Sequence, residues 1–237
     1  MTDPRYVSVV TDHEPLVDTA RLTRLATALI WIWLATDVAL GMSALYTIRV
    51  LGGLGGAIAP AESFAGLEKV LAATGVLNVL AVVAAGIAVL RWIYRTSRNA
   101  HAIGPAMAFT PSWAVGWFFV PIANLWKPFQ AVGETWQVSA DPDAPDAVPI
   151  PAVLRIWWGC WIASSIISNI DFRLSMRAET AEQLIAASWF TVAAVPVDIA
   201  LTIALTTIMR RLSQMQRDRA GDIRQARPQI AEDATFE

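Results

Sequence analysis

From Val70 to Leu90 the chain carries no charged side chain. A bilayer core about 30 Å thick is crossed by about 20 helical residues rising 1.5 Å each. Inside it the backbone must satisfy its own hydrogen bonds, so the stretch reads as a membrane-crossing helix. Apolar runs of the same kind lie at roughly 25–45, 153–170 and 185–208. Together they predict an all-α integral membrane protein with four transmembrane helices. Composition points the same way: 55% of the residues are hydrophobic and 16% charged, the mean hydropathy is +0.47, and a soluble domain carries about 25% charged residues.

Basic residues orient these helices. With four spans and both termini in the cytoplasm, Arg49, Lys69, Arg173 and Arg177 lie outside, and the other 14 of the 18 lysines and arginines lie inside. That is a strong positive-inside bias. If Met107–Trp126 crossed as well, Lys127, Arg155 and the six C-terminal arginines would join Arg49 and Lys69 outside, leaving 8 inside against 10. Four spans are therefore expected over five.

The expected organisation is a cytoplasmic segment 1–24, a membrane domain 25–210 and a cytoplasmic tail 211–237. Within the membrane domain two helical hairpins flank a cytoplasmic or re-entrant segment 91–152. Gly52-Gly53-Leu54-Gly55-Gly56 and Pro60 read as a flexible external connection, because glycine argues against continuing the helix. Asp141-Pro142-Asp143-Ala144-Pro145-Asp146, with Pro149 and Pro151, reads as an extended linker too rich in proline for a helix. A short external loop at about 171–182 closes the second hairpin. Ile208, Leu212 and Met215 share a helical face, so the last span is expected to continue into the cytoplasm, with the acidic tail beyond Pro228 disordered. Asp3, Asp12, Glu14 and Asp18 precede the first apolar run, and no cleaved signal peptide is expected.

Several chemistries have no basis here. Cys160 is the single cysteine, which excludes an intramolecular disulfide and a cysteine zinc site. His13 and His101 are far apart in polar flanks, so neither a metal site nor a cofactor is expected. No basic domain for nucleic acid is visible.

The most unusual stretch runs from Thr110 to Gln130. Between Pro111 and Lys127 it is uncharged and aromatic, yet too short to span, and Pro121 removes a helix donor near its middle. A re-entrant or interfacial element on the cytoplasmic side fits better. Pro128 suits the first turn of a following helix through Phe129, Val132 and Trp136, with Gln130 and Glu134 facing polar surroundings. The block Gly116-Trp117-Phe118-Phe119-Val120-Pro121-Ile122-Ala123-Asn124-Leu125-Trp126-Lys127-Pro128, followed by Glu134-Thr135-Trp136 and preceded by Arg91-Trp92-Ile93-Tyr94-Arg95 and Arg98-Asn99-Ala100, resembles a bacterial membrane-protein family known as domain of unknown function 4328. The resemblance covers roughly residues 25–210. It implies a multi-pass protein of the bacterial inner membrane and brings no assigned activity.

Two readings of the aromatic block stand side by side. It is a plug covering the cytoplasmic end of the bundle, with Asn124 as a local cap or carbonyl binder, or it is a gate or ligand loop. In the second reading Arg91, Arg95, Arg98 and Lys127 collect anionic lipid headgroups or an anionic ligand. Three polar residues fall near mid-membrane: Asp37 about 18 Å and Asp198 about 15 Å from the inner side, with Asn78 near the depth of Asp37. No lysine or arginine within a span neutralises them, so they should face the bundle interior. They are interhelical hydrogen-bond glue, or a proton or ion site helped by the carbonyl that Pro196 frees near Val192. Two acids alone specify no catalysis. The expectation is thus a non-enzymatic membrane scaffold or interaction protein, with the bilayer and possible homo-oligomeric or other membrane partners. The alternative is a small proton- or ion-coupled transporter or channel subunit using Asp37 and Asp198.

Overall fold

A computed structural model describes residues 16–53, 65–104 and 107–233. Every regular element among them is helical: α1 (Ala20–Gly53), α2 (Ala65–Ile103), α3 (Pro111–Gly116), α4 (Lys127–Ala140), α5 (Ala152–Ser175) and α6 (Ala181–Asp233). Single 3₁₀ turns sit at Trp117–Phe119, Ala123–Leu125 and Pro145–Ala147. Among the described residues three helices are long and apolar enough to cross a membrane: Ala20–Gly53, Ala72–Ile103 and Ala181–Asp222. The chain folds as two compact units. An apolar unit comprises Leu25–Val89 and Ala152–Thr207; a polar unit comprises Leu90–Pro151 together with the chain before Leu25 and after Thr207.

In the apolar unit small residues let helices approach closely. On α1 the buried line runs through Ala26, Ile30, Leu34 and Ala44, and on α2 through Ala81, Ala85 and Ala88. These three- and four-residue steps keep one helical face inward. Gly41 extends the α1 line: a Cβ built there would stand 2.6 Å from Val195 Cγ2, so α1 and α6 meet where only glycine fits. On α5 and α6 two polar links set an antiparallel register. Asp171 accepts from Thr191 at 3.2 Å, and two turns along each helix Ser164 bonds to Asp198. The outer surface is apolar, with Val76, Leu80, Val83 and Ile87 of α2 and Ile156, Ile166 and Phe172 of α5 all exposed.

The polar unit has a different interior. Leu212, Met209 and Ile208 of α6 and Trp92 of α2 are fully or almost fully buried, but Thr96, Ser97, Asn99, Ser139, Ser213 and Gln216 are buried with them. The family-like stretch Arg91–Ala100 is helical. It is the last part of α2, which continues without a break to Ile103.

Three details depart from the sequence reading. Gly52 and Gly53 are still helical; they form the final turn, where the cost of about 1 kcal/mol per glycine is tolerable and a glycine end is common. The rest of the predicted glycine connection lies outside the described residues. The proline-rich stretch 141–151 contains no α-helix, as expected, but it is folded rather than extended. Asp141 Oδ1 accepts from the N–H groups of Asp143 and Ala144 at 3.1 and 3.3 Å, and Gln137 Nε2 donates to Val148 O at 2.7 Å. Finally, α6 continues past Pro228 to Asp233, where disorder had been expected. Proline removes one helical donor, and the neighbouring Arg224, Gln225, Ala226 and Arg227 are good helix formers.

The Gly41 contact can be checked directly. Gly41→Ala should destabilise the protein by about 1–3 kcal/mol through overpacking, read as a lower unfolding midpoint in detergent. In a Val195→Ala background the same substitution should cost less than half as much. Equal losses in both backgrounds would place the tight contact elsewhere.

Candidate functional site

The residues singled out in the sequence fall into two groups, one in each unit. In the apolar unit Asp37 and Asp198 come within electrostatic reach of one another, brought there by the close crossing at Gly41, one turn along α1 from Asp37. Asp198 is 2% exposed and takes a hydrogen bond from Ser164. One oxygen of each acid, Asp37 Oδ2 and Asp198 Oδ1, is buried without a partner. Asn78 joins the neighbourhood at one remove: its Nδ2 donates to Thr36 Oγ1 at 3.1 Å, and that hydroxyl donates to Trp33 O at 2.7 Å. Thr202, one turn beyond Asp198 and fully buried, also keeps its Oγ1 unpartnered.

The second group lies in the polar unit and holds most of the residues that carry the family resemblance. Asn99 Oδ1 accepts from Val17 N at 3.0 Å, and its Nδ2 donates to Val17 O at 2.9 Å and to Gln216 Oε1 at 3.1 Å. Gln216 Nε2 in turn donates to Thr96 O at 2.8 Å and Ser139 Oγ at 2.9 Å. Every amide hydrogen of both side chains is used. A turn away along α6, Ser213 Oγ accepts from Trp92 Nε1 at 3.1 Å and pairs with Thr23 Oγ1 at 2.8 Å. Four segments are thus joined through buried polar groups: the chain entering α1, α2, α4 and α6.

The aromatic block is built on this platform. It is not one helix. Thr110 caps α3 by accepting from Trp113 N at 3.4 Å, and the helix gives way to a 3₁₀ turn at Trp117. At Pro121-Ile122-Ala123 the chain reverses in a γ-turn: Ile122 has φ 67° and ψ −57°, and Ala123 N donates to Pro121 O at 2.8 Å. That conformation is rare and strained, more so for a β-branched residue. Ile122 stands at the apex, 73% exposed, with Phe119 at 70% and Leu125, Trp113 and Trp126 also exposed. The base of the block is held firmly. Glu134 of α4 accepts from the N–H groups of Ala108 and Phe109, Lys127 Nζ lies 5.2 Å from the Phe109 ring and 5.8 Å from that of Trp117, and Trp113 packs on Trp117 at 4.6 Å. Pro128 is buried in the first turn of α4, and Trp136 is buried further along it.

Some expected roles are filled differently. Asn124 Oδ1 is buried without a partner, so it accepts for no helix end; its backbone N–H donates to Val120 O instead. Trp117 Nε1 is also buried and unpartnered. Arg91 is exposed and Arg95 half-buried. Ser164, Thr202, Ser213 and Gln216 were not singled out in the sequence. For Thr202, Ser213 and Gln216 a signal was present: each is a polar residue three or four positions from another inward residue of the same helix, Asp198, Met209 and Leu212 respectively.

The family model for a domain of unknown function (DUF4328) matches residues 56–214. No curated protein and no solved structure matches the chain.

Removing the Asn99 side chain leaves Val17 and Gln216 with buried groups unpaired, each costing about 1–3 kcal/mol. Asn99→Ala should therefore lower the unfolding midpoint far more than Gln130→Ala, a change at an exposed position on α4. Comparable midpoints for the two variants in detergent would show that the amide pair contributes little.

Proposed function

The chain belongs to the domain of unknown function family DUF4328, and from that premise we propose that it is a bacterial inner-membrane scaffold: a non-enzymatic protein of four spans with both termini in the cytoplasm. In this reading the aromatic block lies in the interfacial layer of the cytoplasmic leaflet. The fourth span is α5. Its polar side chains Ser164 and Asp171 are turned to α6, and its outward residues Ile156, Ile166 and Phe172 are apolar, so as half of a hairpin it offers lipid an apolar face. The positive-inside count supports the orientation.

The single observation that carries the reading is the strained apex. A backbone outlier that costs about 1–3 kcal/mol persists only where its surroundings hold it, and here it holds an isoleucine outward among exposed aromatic side chains. Tryptophan at the headgroup level buries its ring while keeping its indole N–H wet, and phenylalanine adds apolar area. Arg91, Arg95 and Lys127 complement anionic headgroups. The block then fixes the polar unit against the bilayer, leaving the rest of its surface for a partner protein or a second copy.

Three measurements test this. With Cys160 replaced by serine, single cysteines at the exposed Ala144 and at Ser63 should be labelled from opposite sides, Ala144 from the cytoplasm; external labelling at Ala144 would remove the four-span arrangement. A spin label at Ile122 in liposomes should relax faster with oxygen than with a water-soluble nickel chelate. The reverse order would put the apex in water and turn the block into a docking surface for a soluble partner. Ile122→Gly should raise stability by about 1 kcal/mol by relieving the strain, seen as a higher unfolding midpoint.

A further inference from the structure

Two of the acids in the apolar unit, Asp37 and Asp198, each keep a buried oxygen without a hydrogen-bond partner. Asn78 and Thr36 are paired, and Asp171 is held by Thr191 at 3.2 Å and by Ser175 at 3.4 Å. Asp37 and Asp198 lie within electrostatic reach of one another; Ser164 serves one oxygen of Asp198, and one oxygen of each acid is buried without a donor. The fully buried Thr202, on the same face of α6 as Asp198, adds a third unpartnered oxygen. An uncompensated carboxylate in such surroundings is disfavoured, and a second one beside it adds repulsion.

Among the described residues no basic group contributes to the electrostatics of either acid. On α1 the nearest cation in sequence is Arg49, three turns beyond Asp37, and on α2 it is Lys69, far from Asn78. On α5 Arg155 lies more than two turns before Ser164, Arg173 donates to Asn169 at 2.8 Å, and the titratable neighbour of Ser164 is Cys160, one turn away. On α6 Glu182 is the other acid of the unit's part of that helix, four turns before Asp198. Among the described residues no three metal-ligating side chains gather here. A proton needs one.

We propose that Asp37 and Asp198 form one exchangeable proton-binding site, the pair taking up a single proton from water between them. The proton adds to the free oxygen of one carboxylate, giving a neutral carboxylic acid and removing one of the two facing charges; its release to water restores the anion. No other bond changes. The site does not depend on the scaffold reading, since a scaffold that carries it is still a scaffold and a protonatable pair is where coupling to a proton gradient would begin.

The test is infrared spectroscopy of the full-length protein in lipid nanodiscs between about pH 5 and pH 9. The wild type should show a protonated carboxyl band that shifts in heavy water and disappears as the pH rises. Its loss should correspond to one proton per chain. Asp37→Asn or Asp198→Asn should move the midpoint by one pH unit or more, a tenfold or greater change in proton affinity, because the partner's charge is gone. Both variants keep the shape of the side chain, and their unfolding midpoints check that the fold is retained. The proposal is overturned by any of four results: no such band, a band unchanged across the range and insensitive to heavy water, a midpoint indifferent to the partner substitution, or a band erased by sodium at constant pH. The last would make the pair a sodium site.

Discussion

Gln216 holds the polar unit together. Its amide sits fully inside the protein and gives both hydrogens to other segments, one to the backbone of α2 at Thr96 and one to Ser139 of α4, while its oxygen takes a hydrogen from Asn99. Asn99 passes the connection to the backbone at Val17. A buried amide left half-paired destabilises its surroundings, whereas a complete set fixes them in one arrangement. The glutamine therefore specifies which turn of α6 meets which turn of α2 and α4. Ser213 repeats the arrangement one turn earlier with Trp92 and Thr23.

What stands on that arrangement is the aromatic block. Its lower part is tied to α4 through Glu134, Lys127 and Pro128, and α4 is tied to α6 through Ser139. A strained turn at Ile122 can be held only by a base that does not yield. The contrast with the apolar unit is instructive. There the register between α5 and α6 comes from two hydrogen bonds, and Asp37 and Asp198 each keep a buried oxygen without a donor. The fully paired amides of Asn99 and Gln216 mark the structural centre of the polar unit.

Much of this was legible in the chain. The long helices follow from uncharged runs of sufficient length, and the helix start at Pro128 follows from proline's missing donor. The break in the aromatic block follows from Pro121, although the γ-turn itself does not, since no local rule puts isoleucine at positive φ. Asp37 and Asp198 could be matched by depth because depth is residue count times rise. Their pairing needed Gly41 against Val195, a contact between residues far apart in sequence. Asn99 was recognised by resemblance to a family and not by physics, because its partners Val17 and Gln216 are likewise distant. The proline-rich stretch was read correctly as non-helical but not as folded, because a side chain in α4, Gln137, is what holds it.

The central claim is that one glutamine couples four segments. Hydrogen–deuterium exchange of the full-length protein in nanodiscs, wild type against Gln216→Ala, reads this directly. The account predicts faster exchange appearing together around Val17, Thr96–Ala100 and Gln137–Ala140 as well as in the turn of α6 that carries the substitution, with the Ser164–Asp198 level unchanged. Faster exchange confined to that one turn of α6 would contradict it.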